Sequence, residues 1–90
     1  YEAHRIGIVN HVCQATMLEA FVNSYAETMA NNAPLSIVAA KRVIDEYVKD
    51  SEKRNQALAD EAVAACFASQ DYVEGRRAFM EKRKPVWMGK

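Results

Sequence analysis

Ninety residues make about one small domain. Half are apolar and 27% are charged, which excludes a disordered chain; the longest apolar run, residues 62–68, is far short of the about 20 needed to span a membrane. Twelve basic residues balance twelve acidic ones, which argues against generic nucleic-acid or membrane-surface binding. No charged-then-apolar leader opens the chain, and the scattered Cys13 and Cys66 are expected as buried, reduced thiols in a cytoplasmic setting. The first residue is Tyr1, not Met, which leaves open a cleaved product or a piece of something longer.

Ile6-Gly7-Ile8-Val9-Asn10-His11-Val12 is β-branched and partly alternating, enough for one short strand or an extended lead-in. Gly7 suits a bend there. Thr16 and Glu19 fit a capping box, and Leu18, Phe21, Val22, Tyr25 and Met29 follow at helical spacing. Pro34 starts a second helix, with Ile37, Ala40, Ile44, Tyr47 and Val48 on its apolar face. Asp50 or Ser51 is expected to cap a third, carrying Leu58, Ala62, Ala65 and Cys66 to about Ala68. Its alanines permit close helix–helix approach. Ser69 caps a fourth, which runs to about Lys84 and stops before Pro85. The reading is all-α: about four helices after a short extended N-terminal segment.

No glycine-rich phosphate loop, HExxH, zinc spacing or GxSxG is present. His4 and His11 read as surface or hydrogen-bonded histidines, and Asp45-Glu46 and Asp60-Glu61 as solvated helix faces. The four methionines read as gap-filling side chains. Charge is uneven along the chain. Residues 43–74 hold eight acids against three bases, and residues 75–90 hold six bases against Glu81 alone. That basic end suggests a local anion site. Within it, Gly75 sits mid-helix at a cost of about 1 kcal/mol against Ala, usually offset by close backbone packing. Phe79 and Lys82 are three apart, which on a helix puts ring and ammonium on one face; such a pair can receive a purine and a phosphate. The plainer reading is a core Phe beside solvated lysines.

Ser69-Gln70-Asp71-Tyr72-Val73-Glu74-Gly75, followed by Ala78-Phe79-Met80-Glu81-Lys82-Arg83-Lys84-Pro85, resembles the C-terminal signature of the enoyl-CoA hydratase/isomerase (crotonase) superfamily. Residues 6–12 are similar to the segment that precedes that family's C-terminal helices, and Ala33-Pro34-Leu35 with Ala39-Ala40-Lys41-Arg42 to its next helix. The resemblance covers essentially the whole chain in the right order. Cys13-Gln14-Ala15 replaces a usual valine-proline-alanine run, and Trp87 stands where phenylalanine is commoner.

The resemblance implies an α/β crotonase fold for an intact member, with residues 1–15 at the end of its core and 16–90 as its C-terminal helical region. It implies a role in covering the acyl-CoA site and in trimer or hexamer assembly, with Phe79 and Lys82 against the CoA nucleotide. The core amides that stabilise a thioester enolate and the catalytic glutamates belong to sequence not found here, so no catalytic or metal residue is assigned and the chain alone is expected to be inactive. No tightly bound cofactor is implied; coenzyme A enters as part of the acyl-CoA thioester. The expected partners are that substrate and further copies of the chain, with no nucleic acid or membrane. The alternative is a free-standing four-helix interaction module whose basic last helix recognises an acidic partner.

Overall fold

Helix is the only regular structure in the computed structural model, which describes residues 1–90. The all-α reading holds. The chain divides into two units, Tyr1–Asn31 and Asn32–Lys90.

The first unit opens with a single turn, α1 (Glu2–Arg5), inside the segment read as an extended lead-in. Glu2 and Arg5 pair across it, with Arg5 Nε donating to Glu2 Oε2 at 2.9 Å. A Schellman turn closes α1: the Ile8 amide reaches the Ala3 carbonyl at 2.8 Å, and the Gly7 amide reaches the His4 carbonyl at 3.1 Å. Gly7 takes φ +82°, which only glycine adopts without strain. The β-branched run therefore makes no strand, because the turn consumes its first residues. A 3-10 turn, Ala15–Met17, then leads into α2 (Leu18–Ala30). The capping-box expectation is corrected here: Thr16 lies within that turn, and no side chain caps it or α2. The His11 ring stacks on Phe21 at 4.1 Å, and Phe21 tilts against Tyr25 at 5.8 Å.

The second unit holds α3 (Pro34–Tyr47), α4 (Gln56–Phe67) and α5 (Gln70–Met80). Pro34 occupies the first turn of α3, where its missing N–H costs nothing. Asn55 caps α4, not Asp50 or Ser51; its side chain accepts from the Leu58 amide at 3.3 Å. Residues Ser51–Lys53 form a separate 3-10 turn. Glu46 decides this local choice. Its carboxylate accepts from the Asn55 amide at 2.8 Å and from Lys49 Nζ at 2.5 Å, and the two bonds hold its pKa below the ordinary value. The pair read as one solvated face thus splits: Asp45 is exposed opposite Lys41, and Glu46 is buried.

Helix α3 packs along α4, and α5 against α4. The buried hydrophobic side chains are Ala39, Ala59, Ala62 and Ala78, and no large side chain is fully buried. Small side chains let the helices approach closely, as the alanine-rich third helix predicts. The apolar stripe assigned to α3 behaves otherwise. Ile44, Tyr47 and Val48 are all more than half exposed. α3 turns Ala39 inward, and at 100° per residue Ile44 and Val48 point about 140° and 180° away from it. No helix is long and apolar enough to cross a membrane.

Candidate functional site

The most specific stretch of the sequence folds as α5 and a return strap, residues 81–90. Ser69 caps α5 as expected, its hydroxyl accepting from the Tyr72 amide at 3.0 Å. Asp71, in the first turn, is 3% exposed, so its polar atoms need partners. Its carboxylate accepts from the Met88 and Gly89 amides at 2.7 and 2.8 Å, and its own amide donates to the Lys90 carbonyl at 3.0 Å. One turn on, Glu74 accepts both arms of the Arg83 guanidinium at 2.6 and 3.2 Å, and the Val86 amide at 3.0 Å. The Arg83 fork, with the Val86 amide, lowers the Glu74 pKa to about 2. Arg83 Nε also donates to Glu81 at 2.6 Å, and these two carboxylates push the guanidinium pKa up.

Between the two carboxylate ties, Trp87 lies against Gly75. A Cβ at residue 75 would stand 3.1 and 3.3 Å from two indole carbons, so the close packing expected around this glycine is the contact with Trp87.

Helix α5 ends at Met80, four residues earlier than the sequence suggests. The end is a second Schellman turn: the Arg83 amide donates to the Ala78 carbonyl at 3.0 Å, and the Lys82 amide to the Phe79 carbonyl at 3.3 Å. Lys82 sits at φ +53°. Lys82, Arg83 and Lys84 therefore lie beyond the helix, and Arg77 is the basic residue of its last turn. Phe79 occupies that last turn with 83% of its surface exposed. The single-face argument for Phe79 and Lys82 does not hold, since the helix stops between them. The turn links them instead, through the Lys82 amide.

Three concavities flank this segment, one of about 550 Å³ being lined by Asp71, Glu74 and Arg77 of α5 and by Arg83, Val86 and Met88 of the strap. A shallow one of about 330 Å³ is lined by Tyr72, Gly75, Arg76, Phe79 and Met80, with the Arg76 guanidinium 5.9 Å from the Tyr72 ring centre. An apolar groove of about 610 Å³ is lined by Leu35 and Val43 of α3, Phe67 of α4, Tyr72 of α5 and Trp87. Cys66 lines it and donates to the Leu35 carbonyl at 3.1 Å. Both cysteines are free and half-buried, more open than expected.

Asp71, Glu74 and Glu46 are committed as acceptors to backbone amides or cations, so none of the three is placed as a general base. The strap's ties were missed in the sequence. Their signal is the Asp71-x-x-Glu74 spacing, which puts two acids on one face ahead of an aromatic and basic tail.

A profile of the enoyl-CoA hydratase/isomerase family matches residues 1–90. The chain belongs to this family. It is 35% identical, over 99% of its length, to crotonyl-CoA hydratase of Syntrophomonas wolfei subsp. wolfei. It is 38% identical, over 93%, to methylmalonyl-CoA decarboxylase of Escherichia coli. Its backbone matches the crystal structure of enoyl-CoA hydratase from Bacillus anthracis with a TM-score of 0.84, at 28% identity over 99% of the chain. The chain spans 34%, 33% and 34% of those three proteins, about a third of each. Hydratases and a decarboxylase match alike, so family membership does not select a reaction.

Proposed function

We propose that these residues are the C-terminal helical portion of an enoyl-CoA hydratase-like enzyme of the cytoplasm that acts on acyl-CoA thioesters, where they cover the CoA site and mediate assembly into trimers or hexamers. The observation that carries this reading is a family match along all 90 residues by a chain that spans a third of its relatives. The exposed apolar residues of α3, and Phe79 and Met80 on α5, offer surfaces suited to covering a core and to pairing with further copies. The same match favours this reading over a free-standing interaction module.

Within it, Phe79 and Lys82 contact the nucleotide end of coenzyme A, which arrives as part of the substrate. Phe79 supplies a ring face for adenine, and Lys82 a point charge for a phosphate. The thioester chemistry falls to residues outside this chain, so the 90 residues alone should give no hydration of a short enoyl-CoA above a blank. In the enzyme that carries the chain, Lys82→Ala should raise KM several-fold and largely preserve kcat, because the contact is remote from the reacting carbons. Added salt should shrink the difference. An unchanged KM at low ionic strength would remove Lys82 from the CoA site.

A further inference from the structure

Two helices of this chain end in the same turn, with different residues at the left-handed position. Gly7 closes α1 and Lys82 closes α5. Lys82 is the chain's one non-glycine residue at positive φ, a conformation that a Cβ opposes. Such a residue persists when its surroundings over-determine it, and the residue that follows it is tied through both its amide and its side chain. The Arg83 amide is bound to Ala78 and its guanidinium to Glu74, Glu81 and the Lys84 carbonyl. Glu74 also takes the Val86 amide, and Asp71 holds the strap further on. The Lys82 ammonium, by contrast, is exposed and pairs with no carboxylate of the chain. The restraints thus fall around Lys82, with its charged end left available.

We infer that Glu74 and Arg83 are positioning residues that hold the turn at Lys82 and so fix where its ammonium meets the anionic end of the ligand. This rests on the reading of Lys82 as a CoA-phosphate contact. Without the clamp, the helix and tail could rearrange around residue 82, and the ammonium would leave the turn in other directions. Preorganising a charged contact lowers the cost of ordering it on binding.

The test is a double-mutant cycle in the enzyme that carries this chain, read as KM and kcat for a short enoyl-CoA. Arg83→Gln should raise KM about three-fold with kcat within about two-fold, and should add nothing in a Lys82→Ala background. Amide exchange at Met88 and Gly89, which are bound to Asp71, shows whether the strap stays folded in the variant. Should Arg83→Gln unseat it, Glu74→Gln retains an acceptor for the Val86 amide and should give the same non-additive rise in KM. An equal rise in both backgrounds, or no rise, overturns the positioning role and leaves the CoA contact standing. No change on Lys82→Ala itself overturns the CoA contact, and the positioning role with it.

Discussion

Replacing Gly75 with alanine sets two effects of opposite sign against each other. A mid-helix Gly→Ala change ordinarily stabilises by about 1 kcal/mol. At residue 75 the new methyl would meet two indole carbons of Trp87 at 3.1 and 3.3 Å, where comfortable carbon contacts lie at about 3.5–4.0 Å. The ring would have to retreat by a few tenths of an ångström. Its backbone is poorly placed to follow, because Val86 is bound to Glu74 at 3.0 Å, and Met88 and Gly89 to Asp71 at 2.7 and 2.8 Å. Both carboxylates belong to the helix that would bear the methyl, so helix and strap cannot separate without stretching those bonds. Overpacking of this kind costs about 1–3 kcal/mol, and Gly75→Ala should therefore lose about 1 kcal/mol net. Urea unfolding followed by far-ultraviolet circular dichroism measures it. In a Trp87→Leu background the clash is gone, and the same change should become stabilising. Stabilisation by Gly75→Ala with Trp87 in place would refute the account.

Lys82→Gly should raise the thermal midpoint, with a gain of up to about 1 kcal/mol from relief of the left-handed conformation; an unchanged midpoint would mean that the turn carries no such penalty. The pKa of Glu74 is lowered from 4.5 to about 2. A depressed carboxyl contributes stability above its unfolded pKa and loses it as pH falls through the folded one. The strap should thus stay seated above pH about 5 and loosen between about 4.5 and 2, and Glu74→Gln should flatten that part of a profile followed by Trp87 emission. The isolated 90 residues should self-associate through their exposed apolar faces, and light scattering that shows a clean monomer at high micromolar concentration would contradict this.

Where one residue type settles the local conformation, the sequence is legible. Pro34 opens α3, Ser69 caps α5, Gly7 makes the bend and Gly75 admits a neighbour. The readings that fail are choices between similar local options, settled by a group from elsewhere. Asp50, Ser51 and Asn55 are all acceptable caps. Glu46, nine residues before Asn55, binds the Asn55 amide and thereby places the start of α4. The end of α5 is of the same kind. Helix propensity runs on to Lys84, but Glu74 captures Arg83 nine residues away, and the chain turns at Lys82.

The candidate site follows that division. Spacing and family resemblance single out Phe79 and Lys82, and both are exposed. The spacing places the two on one face only in a continuous helix, and α5 stops between them. The clamp beneath them was hidden since Asp71 and Glu74 look like ordinary helix-surface acids, and only the returning strap makes them acceptors. The apolar pattern misled in the opposite sense. Ile44, Tyr47 and Val48 repeat as a buried face would, yet α3 turns Ala39 inward and leaves them exposed. Periodicity reports that a face is suited to burial, not what buries it. In this unit the buried apolar side chains are alanines, Trp87 of the strap packs on Gly75, and the large apolar side chains other than Leu35 and Trp87 are exposed. That distribution suits a segment whose larger apolar contacts are made with another surface, as the proposed place in a hydratase requires.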